Sequence, residues 1–364
     1  MKKSHEWYIN YCLELAAKGI AAAMPNPCVG AVVVHNGQII GEGYTQPYGG
    51  SHAEVVAIGA VEDKELLKTA TLYVTMEPCC HTGKTPPCTD LILHSEIPKV
   101  VVGARDSFEE VDGKGIELLR SNGVEVVVPI LENECKFVNR RFYSFYEKRR
   151  PYVILKWAET QDGFIDKDRE DGDIGVNWIS CEETNKTTHT WRSQEIAIAV
   201  GKNTAKVDNP SLTTRNVKGK NPIRMVFDRN NELSKDLKLF QPEAEIWVFN
   251  ASQEGKEGHI NWIKIPFENS VEEFLNVLFE RKIMSVIIEG GRHVLQSFIQ
   301  SENWDEIRRI KGSTNFKSGV KAPKFSFGNY QKYSYQSGED SIDVVANNHI
   351  YLEPLRQIDD ASKL

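Results

Sequence analysis

Three candidate metal ligands in the first quarter of this 364-residue chain constrain its fold most strongly. His52 is followed by Ala53 and Glu54, and two cysteines, Cys79 and Cys88, each follow a proline. A catalytic zinc site keeps its fourth position for water, whereas a structural site is normally closed by four protein ligands. The chain must therefore fold so that these three side chains meet, with Glu54 free to move protons beside them.

The spacing of these residues also predicts local structure. Positions i and i+2 of a regular helix point away from one another, so we expect His52 at a helix entry with non-helical dihedrals and Glu54 in the first turn. Cys79 is predicted in a loop after a strand at residues 71–75. Cys88 is predicted to open the next helix, where the helix N-terminus favours a thiolate.

The hydrophobic periodicity of residues 1–147 alternates between helix and strand, which predicts an α/β layered sheet. The predicted helices are 4–19, one beginning near 53, 88–95 and 113–121; the predicted strands are 30–34, 38–43, 71–75, 99–103 and 124–128. Asn36 and Gly37 predict a type I′ turn between the first two strands.

A charged segment ending at Pro151 predicts the boundary between a domain of residues 1–147 and one of residues 148–364. The basic run 140–150 is interpreted as a solvated face or linker. The second domain is predicted to contain strands at 151–156, 196–200, 223–228, 245–249, 284–288 and 349–352, and helices at 271–281 and from a capping box at 180–183 to 194. Residues 306–346 show weak periodicity, and no element is predicted there.

Composition and charge restrict the classes of function. The net charge is −3 for residues 1–150 and −4 for the remainder, which argues against a dedicated nucleic-acid binder. No apolar run approaches the length of a membrane span, and polar residues interrupt the N-terminal segment, so a secretory signal is not expected. We therefore predict a cytoplasmic protein, in which metal binding explains the odd count of seven cysteines better than a disulfide framework does.

The motifs of the first domain resemble the bifunctional deaminase/reductase family of bacterial riboflavin biosynthesis. Residues 25–30, 51–55 and 73–88 carry the resemblance, including a Gly-Lys-Thr-Pro-Pro-Cys insert before the last ligand. The resemblance implies a cytidine-deaminase-like three-layer domain. It implies hydrolytic deamination of 2,5-diamino-6-ribosylamino-4(3H)-pyrimidinone 5′-phosphate at a Zn²⁺ centre, a small-molecule ribotide substrate, and no nucleic-acid or membrane partner.

The same resemblance implies that Asn26, His81 and Lys84 contact the deaminase substrate. Three positions differ from the family pattern: Cys28 replaces Asn, Thr45 replaces His, and Ser51 replaces Pro. Thr45 lacks the charge and donor of an imidazole, so the substrate contact expected at that position is weakened.

Features of the second domain indicate a dinucleotide-dependent reductase, although each is weaker than the zinc motif. Glycines follow the predicted strand 284–288 and precede a helix, and backbone N–H groups at such a junction can bind a phosphate. Residues 201–215 form a distinctive loop. Together these segments resemble the reductase domain of the same family, which implies a dihydrofolate-reductase-like fold and NADPH reduction of the ribosyl group to ribityl.

The resemblance assigns two groups of residues in the second domain. The residues implied to line NADPH are Ala158, Trp178, Thr204, Asp208, Gly291 and Arg292. Arg229, which stands beside the predicted strand end at Asp228, is a separate candidate for contact with the 2′-phosphate of NADPH. The residues implied to hold the reductase substrate are Val176, Arg192, Leu212, Arg215 and Glu289. Two arginines suit a phosphate monoester, which accepts bidentate charge-assisted hydrogen bonds. We also expect a homo-oligomer.

Three other classes of protein are also compatible with the sequence. A nucleic-acid-editing deaminase would need a basic, aromatic-lined groove, which the charge disfavours. A non-catalytic zinc scaffold would need a fourth protein ligand, for which Cys80 and His81 are the candidates. A third alternative is an intact deaminase joined to a degenerate reductase.

Overall fold

The predicted turn at Asn36 and Gly37 opens the sheet of the first domain. The computed structural model describes residues 3–19, 23–82, 86–170, 173–330 and 332–347. In it, strand β1 (Gly30–His35) pairs antiparallel with β2 (Gln38–Tyr44). The φ angles of Asn36 and Gly37 are 50° and 79°, in the left-handed region that a type I′ turn requires.

The first sheet has the strand order β2-β1-β3-β4-β5, in which β3, β4 and β5 run parallel to one another. Its remaining strands are β3 (Thr71–Met76), β4 (Lys99–Ala104) and β5 (Glu125–Val127). The helices whose full bounds lie in the described residues of this part are α1 (His5–Ala17), α2 (Ala53–Ala60), α3 (Cys88–His94), α4 (Lys114–Ser121), α5 (Glu132–Val138) and α6 (Arg140–Lys148).

Helices cover both faces of this sheet at close range. A Cβ atom built on Gly30 would lie 1.8 Å from the carbonyl oxygen of Cys12 in α1, and one on Gly41 would lie 2.2 Å from that of Ala57 in α2. These glycines point to opposite faces, because Gly41 pairs with Val33, three residues along β1 from Gly30. The result is a three-layer α/β/α arrangement, as the fold class predicted.

The interpretation of residues 140–150 as a solvated face or linker is wrong for its first part. Arg140 and Arg141 belong to α6 and are buried, with 7% and 6% of their surface exposed. The chain divides into two compact units, Met1–Arg149 and Arg150–Leu364.

The second unit contains a ten-stranded sheet in the order β11-β12-β10-β9-β8-β13-β6-β14-β17-β16. Its strands are β6 (Tyr152–Glu159), β8 (Ala197–Gly201), β9 (Ile223–Phe227), β10 (Ile246–Asn250), β11 (Gly255–Glu257), β12 (Ile260–Lys264), β13 (Ser285–Ile288), β14 (Glu306–Lys311), β16 (Lys332–Ser337) and β17 (Asp340–Ala346). Strands β7 (Phe164–Asp166) and β15 (Val320–Lys321) form a separate pair. The helices are α7 (Glu182–Gln194), α8 (Lys202–Asp208), α9 (Ser270–Glu280) and α10 (Arg292–Gln300).

Three segments of this unit differ from the prediction or lie outside the described residues. Helix α7 begins one residue later than the capping box at 180–183 required: Cys181 is the N-cap, without a side-chain cap bond, and its N–H donates to Asp340 Oδ2 at 2.8 Å. Residues 306–346, for which no element was predicted, supply β14, β16 and β17 at one edge of the sheet. The strand predicted at 349–352 lies outside the described residues.

The central strands are parallel and buried on both sides. Strands β9, β8, β13, β6 and β14 run parallel in that order. Parallel sheets bind ligands beyond the carboxyl ends of their strands. Glu289, directly after β13, and Lys202, directly after β8, lie at this edge.

Candidate functional site

The three predicted metal ligands meet in the first unit. His52 is the N-cap of α2 with φ −70° and ψ 161°, Cys79 lies beyond the end of β3, and Cys88 is the first residue of α3. His52 Nδ1 is 3.6 Å from Cys79 Sγ and 3.4 Å from Cys88 Sγ. The predicted non-helical entry at His52 and the helix start at Cys88 are confirmed.

The geometry of this group fits zinc. Bond lengths of about 2.0 Å to nitrogen and about 2.3 Å to sulfur, with tetrahedral angles, place a nitrogen and a sulfur ligand about 3.5 Å apart. Both nitrogen–sulfur distances lie close to that value. The ligand atoms of His52, Cys79 and Cys88 all lie within 4.8 Å of one another, and among the described residues this is the only group of three such side chains.

Glu54 is buried beside the ligands. It lies in the first turn of α2 with 4% of its surface exposed. Burial raises the pKa of its carboxyl to about 7, and the negative charge of Cys79 adds to this effect. A group with a pKa near neutrality can both accept and donate a proton at physiological pH.

The pKa values of the two thiols are shifted in opposite directions. A hydrogen bond from Cys88 holds the pKa of Cys79 well below its usual range, and the same contact raises the pKa of Cys88. The hydrogen bond with Cys79 also raises the pKa of His52. Cys79 Sγ accepts a further hydrogen bond from the backbone N–H of Cys88 at 3.3 Å, so the site already stabilises one thiolate.

Neither candidate for a fourth ligand joins this group. Cys80 Sγ donates to the carbonyl oxygen of Glu110 at 3.7 Å, and His81 Nε2 lies 3.9 Å from Glu110 Oε2. The ring of His81 packs edge-on against Phe108, and its buried Nδ1 has no hydrogen-bond partner in the described part of the chain. This arrangement disfavours the closed structural site of the scaffold alternative.

A side chain that the sequence analysis missed fixes the loop that carries Asn26. Asn139 Oδ1 accepts from the N–H of Cys28 at 2.7 Å, and Asn139 Nδ2 donates to the carbonyl oxygen of Cys28 at 2.9 Å. On the other side, Thr45 Oγ1 accepts from the N–H of Val29 at 2.9 Å. The Thr45 hydroxyl is therefore used in a hydrogen bond to the backbone of this loop. Lys84 lies outside the described residues.

A buried charge cluster is the clearest feature of the second unit. Arg192 donates two hydrogen bonds to Glu289, at 2.7 and 2.6 Å, and Lys156 Nζ lies 3.7 Å from Glu289 Oε2. Burial alone would raise the pKa of Glu289, but the charges of Arg192 and Lys156 lower it to about 2. The sequence analysis missed Lys156, although a charged residue inside the apolar run of β6 was a usable signal.

The prediction of a loop over residues 201–215 is wrong for its first part, because Lys202–Asp208 form α8, and the segment that follows this helix is attached to α7. The N–H of Arg215 donates to His189 Nδ1 at 3.2 Å, and Arg215 Nη1 donates to Ser211 Oγ at 2.7 Å. His189 lies one turn before Arg192 in the same helix. Burial and the neighbouring positive charges lower the pKa of His189 to about 4, so its ring is neutral at physiological pH. Leu212 is buried with φ 54°.

Two predicted cofactor residues meet at the start of α10. Gly291, with φ 61°, is the N-cap of this helix, and a Cβ built on it would lie 3.0 Å from Thr204 Oγ1 in α8. Arg292 is the first residue of the helix. Close approach of backbone at a helix N-terminus suits a phosphate group.

The other predicted residues of the second unit each have separate surroundings. Asp208 accepts a hydrogen bond from Arg169 at 3.1 Å. Arg229 lies 5.7 Å from the ring centre of Phe267. Val176 and Trp178 are 45% and 60% exposed. Ala158 is partly buried in β6, beside the strand position of Lys156 on the same face.

The layered sheet of the first unit, with one imidazole, two cysteine sulfurs and a buried carboxyl outside the ligand set, defines the class of zinc-dependent deaminases. A family model of the cytidine and deoxycytidylate deaminase zinc-binding region matches residues 2–104. A family model of the RibD C-terminal domain matches residues 151–313.

Proteins similar along most of their length carry the same pair of domains. The riboflavin biosynthesis protein RibD of Aquifex aeolicus is 38% identical over 307 residues, which cover 82% of this chain and 84% of that protein. RibD of Bacillus amyloliquefaciens is 38% identical over 312 residues, 83% of this chain and 82% of that protein. A solved structure from Thermotoga maritima, described as a diaminohydroxyphosphoribosylaminopyrimidine deaminase/5-amino-6-(5-phosphoribosylamino)uracil reductase, superposes with a TM-score of 0.84 at 36% identity. The match covers 94% of this chain and 98% of that structure.

The chain therefore belongs to the RibD family of bifunctional riboflavin biosynthesis enzymes, which unite a deaminase and a reductase. The predicted family, the mixed α/β fold class and the two enzyme activities are confirmed. None of the described helices has the length and apolarity needed to cross a bilayer.

Proposed function

We propose that the first unit deaminates a diaminopyrimidinone ribotide at the centre formed by His52, Cys79 and Cys88, with Glu54 as the proton carrier. Zinc, when bound, lowers the pKa of its water ligand to about 7 and so supplies hydroxide at neutral pH. Glu54 takes up the proton that this water loses and returns it to the amine that departs as ammonia. The burial and pKa of Glu54 support both halves of this role.

The remaining groups of the deaminase site would orient the substrate. Asn26, His81 and Lys84 are the proposed contacts. The buried Nδ1 of His81 has no partner among the described residues, and this supports a contact there, because a buried polar atom without a partner costs free energy until a ligand satisfies it. Asn139 and Thr45 accept hydrogen bonds from the backbone N–H groups of Cys28 and Val29, and these bonds support a preformed loop beside Asn26.

The second unit is proposed to reduce the ribosyl side chain to ribityl. NADPH supplies the hydride, so the protein has to bind and orient the cofactor and the substrate and polarise the reacting group. The junction of Gly291 with Thr204 and the start of α10 at Arg292 are proposed to hold cofactor phosphate. Ala158, Trp178, Asp208 and Arg229 complete the proposed cofactor set.

The reductase substrate is proposed to lie against Val176, Arg192, Leu212, Arg215 and Glu289. Arg215 is exposed, and within the described part of the chain its guanidinium donates only to Ser211, which leaves donors for a phosphate. Arg192 and Glu289 neutralise one another, and Lys156 adds a positive charge to the pair. A cytoplasmic location and a homo-oligomer remain predictions.

The observation that carries this proposal is the approach of one imidazole and two thiols next to a buried carboxyl that does not ligate. The test measures metal content, ammonia release and NADPH oxidation on one preparation. We expect one zinc ion per chain. We expect a strong chelator to abolish ammonia release while NADPH oxidation with the deaminated substrate continues. Full ammonia release from metal-free protein would refute the assignment.

A further inference from the structure

Glu77 is a buried carboxylate that the proposed mechanism does not use. It lies between the end of β3 and the metal ligand Cys79, with 4% of its surface exposed. Its oxygens accept three backbone hydrogen bonds: Oε2 from the N–H groups of Asp106 at 3.2 Å and Gly113 at 3.0 Å, and Oε1 from that of Ile116 at 3.1 Å. No salt bridge to Glu77 occurs among the residues that the structure describes.

These three donors come from two separate segments. Asp106 follows β4, whereas Gly113 is the N-cap of α4 and Ile116 lies in its first turn. The positive end of the helix dipole and charge-assisted hydrogen bonds favour a carboxylate at this place. Glu77 therefore connects the segment between β3 and Cys79 with two other segments, which are the residues that follow β4 and the start of α4.

The packing around Pro78 shows how closely these segments approach. A Cβ atom built on Gly115 in α4 would lie 2.2 Å from the carbonyl oxygen of Pro78 and 3.2 Å from Glu77 Oε1. On its other side, the carbonyl oxygen of Cys79 accepts from the N–H of Thr89 at 3.1 Å. Cys79 is thus fixed from α3 on one side and, through Glu77, from α4 on the other.

We propose that Glu77 is a positioning residue of the deaminase centre, which sets the metal affinity by holding the Cys79 backbone against α4. Its side-chain oxygens bond to backbone N–H groups of the described residues, so Glu77 acts through the backbone rather than on the metal or the substrate. The inference rests on the proposed zinc centre and adds to it a determinant of zinc affinity.

The test compares zinc affinity in E77Q with that of wild-type protein, using a chromophoric chelator as competitor. Glutamine keeps the size of the side chain but turns an NH₂ donor toward at least one of the backbone N–H donors. Loss of an outer partner of a metal site typically costs about 10–100-fold in affinity, and we expect a decrease of that size. E117Q is the matched control, because Glu117 is exposed on the same helix and makes no side-chain hydrogen bond among those described.

Two further measurements keep the inference open to refutation. Cobalt(II) substitution reports the thiolate ligands directly, so we expect weaker thiolate-to-cobalt absorption in E77Q at equal cobalt concentration. G115A leaves the carboxylate intact but pushes Pro78 away from α4, and it should also lower zinc affinity. If E77Q does not fold, G115A decides. NADPH oxidation, carried by the other unit, should be unchanged throughout.

The possible failures are distinguishable. A wild-type protein that binds no zinc would refute the proposed function. Wild-type zinc binding together with an unchanged affinity in folded E77Q, or in G115A where E77Q does not fold, would overturn the role of Glu77 alone.

Discussion

Replacing Glu289 by glutamine should destabilise the second unit by about 3 kcal/mol at neutral pH. The carboxylate lies in a buried cluster with Arg192 and Lys156, whose charges lower its pKa from 4.5 to about 2 against the opposing effect of burial. Each pKa unit corresponds to about 1.4 kcal/mol of differential stabilisation. Removing one partner of a buried pair costs about 3–5 kcal/mol. Burial already lowers the pKa of Lys156, so this group gives up its charge more easily and the cost falls at the lower end of that range.

The sign of the pH dependence follows from the same values. The folded pKa of Glu289 lies below the unfolded value, so its contribution is fully present above about pH 4.5 and is lost as the pH falls toward 2. Wild-type stability should therefore decrease over this interval more steeply than that of E289Q.

Urea unfolding followed by tryptophan fluorescence measures this effect, because six of the seven tryptophans lie in the second unit. E280Q is the control, since Glu280 is exposed at the end of α9. An E289Q protein as stable as wild type at pH 7, or equal pH slopes for the two proteins, would contradict the reasoning.

Three further substitutions test individual roles. E54Q should retain zinc but lower ammonia release by about 10²–10⁴-fold, since general acid–base catalysis contributes that much; near-normal turnover would remove Glu54 from proton transfer. R215A should raise the reductase KM by about 10–100-fold, the value of a charge-assisted hydrogen bond of about 1.5–3 kcal/mol, and leave deamination unchanged; an unaltered KM argues against phosphate binding. N139A leaves two backbone groups of Cys28 unsatisfied, so the deaminase KM should rise and thermal unfolding of the first unit should occur earlier. Unchanged values for N139A would show that the loop carrying Asn26 is fixed by other contacts.

Local patterns predicted those parts of the protein that depend on neighbouring residues. Asn36 and Gly37 specify a turn because their backbone must adopt positive φ. The i, i+2 spacing of His52 and Glu54 required one of them to lie outside the regular helix, and His52 is the N-cap.

The sequence-based predictions were wrong or missing where long-range packing, rather than the local residue pattern, decides the structure. Residues 140–150 look like a solvated basic run, yet Arg140 and Arg141 are buried. The edge strands from residues 306–346 were not predicted, because β16 and β17 are stabilised by pairing across the sheet rather than by a strong apolar repeat of their own.

The sequence by itself predicted the α/β class, the family, and the three side chains that meet as a candidate metal site beside Glu54, because these depend on residue identity and short spacing. The tertiary structure decided which distant groups support them. Asn139 reaches Cys28 across 111 positions, and Arg192 reaches Glu289 across 97. Such partners follow from strand order and the angles between packed elements, and hydrophobic periodicity within a short window carries no information about either.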